Sequence, residues 1–484
     1  MMRWIRQQIE ISVGLSSFFI FTKIFLRFIL KHFEEVFIFM NKQKNLTEGN
    51  ILGSLILFAI PVLLSLFLQA LYGGVDLLIV GQFAHTTDVS GVATGSMLLS
   101  TITNVTTGLS MGITIVVGMR IGQKKLKAAG QAVGSGICLF GVFSILLMIF
   151  MITGAELLAT LLHAPESAFS QTVLYIRICG AGSVFIVAYN VLGAIFRGIG
   201  DSKTPFITVL IACIFNIVGD LILVAGFHMG TAGAALATVL AQAFSVLISL
   251  VLIRKKQLPF EFSTKNIRFS KNIILNELKL GTPVGLQELL VGTSFLVIQT
   301  IVNTFGVVAS AGVGIGEKVC VFIMLIPSAY MQAMSAFVAQ NMGAQKPARA
   351  KKALKYGIMT AFAVGIVMAF LTYFHGDIMA SVFSTNAAVI AACHSYLKAY
   401  AIDCMLTPFL FCFIGYFNGR EHTLFVMIQG VIGAFCVRIP VVYLISRIPE
   451  ATLFQIGLAT PASSCVQIIL CIGAYILIER KQKT

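Results

Sequence analysis

Charge is what this sequence has least of. Asp, Glu, Lys and Arg make up 11% of the 484 residues, and acids number 19 against 34 bases. Soluble domains carry about 25% charged residues, so a fold with a solvated polar surface is excluded. Tryptophan occurs once. No HExxH, GxSxG or P-loop is present, and no paired His and Cys, which removes the common hydrolase constellations and direct use of ATP. The ten cysteines all fall in apolar segments with no CxxC pair, so they read as small core residues and not as disulfides or zinc ligands.

What is present is apolar. Hydrophobic residues make up 58% of the chain and mean hydropathy is +0.94, the composition of an all-α polytopic membrane protein. From Met40 onward twelve apolar segments can be counted, near 51–80, 89–118, 132–154, 169–195, 205–227, 231–253, 276–303, 308–338, 353–374, 388–416, 424–446 and 452–478. Alternate loops are basic: Arg120 to Lys127, Arg197 and Lys203, Arg254 to Lys279, Lys346 to Lys355, Arg420, and Arg480 to Lys483. The opposite loops carry only Arg447. The positive-inside rule then predicts a multi-pass protein of the plasma (inner) membrane with both termini cytoplasmic. The net charge of +15 is explained by topology, and no nucleic-acid partner is needed.

Sliding the chain about 221 residues along itself brings Pro61-Val62 onto Pro283-Val284, Gly122 onto Gly343 and Phe196-Arg-Gly198 onto Phe417-Asn-Gly419. Six spans per half give both halves the same orientation, so two six-helix bundles related by a pseudo-two-fold along the membrane normal are expected. The first lobe is placed at 45–253, a cytoplasmic linker at 254–275 and the second lobe at 276–484. Residues 1–44 form an extension. Within it Lys23, Arg27 and Lys31 make a basic stripe on a Phe- and Ile-rich stretch, the pattern of an interfacial helix.

The few acids inside grease carry the functional signal. Asp220 follows Asn216 by one helical turn in CIFNIVGDLILV, Cys213 to Val224, near the middle of a span. An acid there costs about 2.5–3.5 kcal/mol on insertion scales and faces a bundle interior or a wet cavity. Asp76 sits in the first segment beyond Pro61 and Gly73-Gly74, Asn190 in the fourth and Thr238 in the sixth. At offsets of 221 or 222 the second half offers Ile298, Phe411, Val437 and Val441 where the first has Asp76, Asn190, Asn216 and Asp220. Two acids, two amides and a hydroxyl supply either oxygen ligands for a small cation or a carboxylate pair that shares a proton.

The chain resembles the multidrug and toxic compound extrusion (MATE) family in its prokaryotic DinF-like branch. The likeness runs from Met40 to the C-terminus. It rests on NLTEGNILGSLILFAIPVLLSLFLQALYGGVDLLIVGQF at 45–83, FRGIGDSKTPF at 196–206 with NIVGDLIL at 216–223, GTAGAALAT at 230–238 and PSAYMQAMSAFVAQNMGAQ at 327–345. The resemblance implies a twelve-helix secondary exporter of amphipathic, cationic compounds driven by Na+ or H+ influx. It places the ion site on Asp76, Asn190, Asn216, Asp220 and Thr238, with Asp76, Asn216, Asp220 and Thr238 as Na+ ligands. One branch of the family carries an acid where this chain has Val291; Glu288 lies three residues earlier and does not inherit that role.

Gln69, Tyr72, Gln287 and Glu288 are candidates for the substrate cleft, and Asp403 with Lys398, and Arg438, for second-lobe structural pairs. No cofactor is expected beyond the coupling ion. The expected partners are membrane lipid and an amphipathic small molecule, with the protein a monomer. Two other readings compete. A lipid-linked precursor flippase would line its cleft with several cations for a pyrophosphate, whereas the first-lobe polar residues are acids and amides. A membrane-embedded enzyme lacks any reactive constellation.

Overall fold

Without water a chain satisfies its backbone as helices or as a closed barrel, and apolar runs of about 20 residues select helices. The computed structural model describes residues 46–255, 258–260 and 264–481. The extension at 1–44, with its expected interfacial helix, lies outside them. In the first half the helices are α1 (Ile51–Phe83), α2 (Thr86–Gly122), α3 (Leu126–Thr153), the short α4 (Ala155–Leu161), α5 (Phe169–Ala181), α6 (Ser183–Gly198), α7 (Lys203–Asp220) and α8 (Gly230–Lys255). In the second they are α9 (Lys271–Asn303), α10 (Val307–Gly343), α11 (Pro347–Ser381), α12 (Ala387–Gly419), α13 (Thr423–Val431), α14 (Ile439–Ser446), α15 (Leu453–Gly457) and α16 (Ala459–Lys481). Among the described residues eleven helical stretches are long and apolar enough to cross a membrane, and the pair α5–α6 completes twelve.

That pair departs from the unbroken fourth segment of the sequence reading: the chain bends by 56° between Ala181 and Ser183. Gly182 occupies the corner, where a Cβ would come within 2.4 Å of Val239 on α8. The fifth span of each half also leaves α-helical geometry, with π-helix at Leu221–Gly226 after α7 and at Ile432–Arg438 between α13 and α14. His375 sits at a kink inside α11 (φ −125°, ψ 23°). The linker is narrower than 254–275, because α8 runs to Lys255 and α9 starts at Lys271. It folds back on the first lobe: Phe260 is buried and the Ser135 hydroxyl donates to the Arg268 carbonyl at 3.3 Å.

The lobes meet backbone to backbone at the end that carries the basic loops. A Cβ on Gly108 of α2 would come within 2.8 Å of the Gly285 backbone of α9, and Gly281 abuts Leu109 in the same way. Further along α2, beside Gly118, Gln340 Nε2 on α10 donates to the Gly198 carbonyl at 2.9 Å. The segment before α1 crosses to the second lobe: Asn341 Nδ2 donates to the Leu46 carbonyl, Lys346 Nζ to that of Thr47, and the Arg349 guanidinium to those of Leu46, Glu48 and Gly49. Asn50 then caps α1 by accepting from the Gly53 N–H. At the opposite end Asp88 joins the start of α2 to the start of α8, accepting from the Thr231 N–H at 3.0 Å and its hydroxyl at 2.8 Å.

Candidate functional site

Adjacent packing of α1, α7 and α8 brings the first-lobe polar residues into one place. Asp76 is 3% exposed, Asp220 0% and Asn216 1%, with Thr238 also buried. The Asp76 and Asp220 carboxyls lie within hydrogen-bonding reach of each other. Asn216 Nδ2 points to the Thr238 hydroxyl at 3.5 Å. Among the described residues, Oδ1 of Asp76, both oxygens of Asp220 and Oδ1 of Asn216 have no donor. A buried cluster made of acceptors without donors fits a cation or a shared proton, because uncompensated charges of one sign do not persist in low dielectric. Asp220 is the last α-helical residue before the π stretch, and such bulges recur at functional sites.

Asn190 has a different environment. Its Oδ1 accepts from the Thr107 hydroxyl at 3.0 Å and its Nδ2 donates to the Ile186 carbonyl at 2.8 Å, so both its polar groups are satisfied. It lines a cavity of about 480 Å³ between the lobes, whereas Asp76, Asn216, Asp220 and Thr238 do not. The same cavity is lined by Gln69, whose amide donates to the Tyr189 hydroxyl at 3.1 Å, and by Glu288, Phe295 and Glu317 from α9 and α10. Tyr72 and Gln287 are outside that lining. Tyr72 interacts with Gln242 of α8 and Asp76, and Gln287 packs against Gly430 of α13.

Sequence reasoning missed several neighbours. Tyr175 on α5 interacts with Thr238 and Asp76, and Cys179 lies close by. Aromatic and thiol side chains carry no signal in an apolar segment, so only packing reveals them. Arg197, assigned to a basic loop, is the penultimate residue of α6 and lines the cavity.

The second lobe buries its own polar group. Arg438 is 6% exposed, donates to the Ser294 hydroxyl at 3.2 Å and lies 4.5 Å from the Phe295 ring centre. Asp403 and Glu317 both feel its charge, Asp403 lying near Ser464 and Glu317 accepting from the Tyr396 hydroxyl at 3.4 Å. Lys398, read from the sequence as a partner for Asp403, lies instead over the Tyr373 ring at 5.8 Å.

The MatE family matches the chain twice, over residues 61–222 and 283–444. The chain is 24% identical over 444 residues to the probable multidrug resistance protein YoeA of Bacillus subtilis (strain 168), covering 90% of this chain and 96% of that protein. It is 25% identical over 395 residues to the multidrug export protein MepA of Staphylococcus saprophyticus, covering 80% and 86%. Its fold matches a multidrug resistance MATE family transporter of the MOP superfamily in an outward-facing conformation, with TM-score 0.85 and 19% identity over 92% of this chain and 100% of that one. A MOP superfamily transporter from Pyrococcus furiosus matches with TM-score 0.86 and 20% identity over the same shares. Both the starts and the ends of the two MatE matches are 222 residues apart. At that offset Asn216 is opposed by Arg438 and Asp220 by Val442, in place of Val437 and Val441. A duplicated match over well more than half of the chain identifies it: the protein belongs to the MatE family and is a multidrug and toxic compound extrusion (MATE) efflux transporter, not an enzyme.

Proposed function

We infer that the protein is an antiporter of the plasma membrane that expels amphipathic, cationic compounds in exchange for Na+ or H+. The observation that carries this reading is the separation of two sites. Unpartnered acceptors on Asp76, Asn216 and Asp220 are sealed inside the first lobe, and the cavity between the lobes presents Glu288 beside aromatic and thioether side chains. The coupling ion supplies the positive charge that the acceptor cluster lacks; Asp76, Asp220, Asn216 Oδ1 and the Thr238 hydroxyl would hold Na+, and the two carboxyls a proton.

Asn190 lies at the cavity wall, joined to α2 through Thr107, so in this reading it belongs to the substrate space and is not an ion ligand. Glu288 attracts the substrate's cation, while Met111, Met324 and Phe295 accept varied apolar shapes. The backbone seam at Gly108 and Gly285 shuts the end with the basic loops. With those loops in the cytoplasm, and both termini with them, this is an outward-facing state. Lipid meets the exposed apolar outer faces, such as Leu146, Phe150 and Leu477, and a monomer encloses both sites.

Counterflow in proteoliposomes with a fluorescent cationic dye, and separately imposed Na+ and pH gradients, tests the reading. Dye should accumulate under at least one gradient. Accumulation that is independent of both gradients would overturn it.

A further inference from the structure

Among the described residues Arg197 has no counter-ion, and it lines the cavity between the lobes. Helical side chains lean back toward the N-terminus of their helix, and Arg197 follows this rule. Its Nη1 lies 3.2 Å from the point where a Cβ on Gly193 would sit, so the missing side chain one turn earlier makes room for the guanidinium. Tyr189, Gly193 and Arg197 recur every four residues along α6 and all three line the cavity. The guanidinium therefore runs into the cavity, not out toward the loop. Its Nε is buried with no acceptor. Asp201, the acid nearest in sequence, is directed elsewhere: it accepts from the Lys203 and Thr204 N–H groups and from the Thr204 hydroxyl at the start of α7.

A second free donor lies beside it in the sequence. The Ser202 hydroxyl lines the same cavity, is buried, makes no cap to α7 and has no hydrogen-bond partner among the described residues. Across the cavity α9 and α10 contribute Glu288 and Glu317. Donors without acceptors thus line the first-lobe wall, and acidic acceptors line the second-lobe wall.

We propose that Arg197 and Ser202 form an anion site and that the cavity is built for zwitterionic amphipaths, whose oxyanion meets Arg197 while the cationic centre meets Glu288. The proposal rests on the exporter reading and narrows its substrate class. A guanidinium holds a carboxylate through paired, charge-assisted hydrogen bonds. A substrate that carries only a cation meets Glu288 and leaves Arg197 unused, whereas a zwitterion engages both walls.

The test uses two xanthene dyes that differ only in a free carboxylate against its ethyl ester, with the full chain in proteoliposomes. Wild type should export both. Arg197→Gln should lower export of the carboxylate dye by about 10-fold or more, the scale of a lost charge-assisted contact, and leave the ester within about 2-fold. Arg197→Lys, which keeps the charge, should recover part of the loss. Ser202→Ala, which adds no bulk, should cost the carboxylate dye about 3-fold and serves should Arg197→Gln fail to insert. Equal losses for both dyes, or none for either, overturn the anion site. Export of the ester alone by wild type overturns the anion site and leaves the exporter reading standing; export of neither dye overturns the exporter reading itself.

Discussion

Asp76 and Asp220 reach each other from different helices, one within α1 and one at the end of α7, and three of their four carboxyl oxygens face no donor. Replacing Asp220 by Asn places a donor in the pair without changing its shape. Export driven by either gradient should fall to the uncoupled background. The variant should also melt higher than wild type in detergent, because an orphaned acceptor gains a partner worth about 1 kcal/mol. Wild-type export rates in both Asp76→Asn and Asp220→Asn would move the coupling site to Glu288, Glu317 or Asp403.

The seam between the lobes leaves no room for a side chain at Gly108, where the Gly285 backbone is the neighbour. Gly108→Leu should hold that end apart. A cysteine at Met111, on the cavity wall, should then become reactive from the side of the basic loops, and export should drop at least about 10-fold. An unreactive cysteine together with normal export would show that the seam does not gate access.

His422 occupies the turn between α12 and α13, outside the spans, and its ring lies 6.5 Å from that of Phe417. Burial, and then the charge of Arg420, lower its pKa from the usual 6.5. The unfolded chain binds this proton at a higher pH than the folded one. The contribution to stability is therefore complete above about 6.5 and is lost as pH falls from there through the depressed folded value. His422→Gln should flatten the melting temperature across that window; an unchanged slope would assign it to other groups.

Ser167 is exposed in the turn before α5, and Ser270 precedes α9. Single cysteines there should react with an impermeant maleimide from outside the cell and from inside, respectively. Reaction of both from one side would contradict the orientation drawn from the basic loops.

A chain that starts at Met40 should export as well as the full sequence, because Leu46 is the residue whose carbonyl is held by Asn341 and Arg349. A chain that starts at Asn50 loses those contacts and should melt lower. Lost export by an inserted Met40 chain would give residues 1–39 a role.

Twelve spans and the acid-bearing helices were legible because the bilayer makes both features costly to violate: an apolar run must be about 20 residues long, and an acid inside it needs a reason. What hydropathy cannot see is direction. Arg197 is basic and near a span end, so it reads as loop, yet the lean of a helical side chain puts it in the cavity. Tyr72 and Gln287 were placed in the cleft on residue type and span, but a rotation about the helix axis turns Tyr72 toward Gln242 and Gln287 toward Gly430. The corner at Gly182 was hidden for another reason, since it depends on Val239 packing against it from a different span.

The position of Arg438 in the repeat marks a chemical difference between the lobes. At the 222-residue offset it stands where the first lobe has Asn216, and it faces Asp403 and Glu317 with Ser294 as a further partner. The second lobe thus carries a built-in cation near its buried acids. A tethered guanidinium cannot leave with a turnover cycle, so if the acceptor cluster of the first lobe is the coupling site, the second bundle would act as a stator while the first, whose acceptors lack a cation of their own, would sense the gradient.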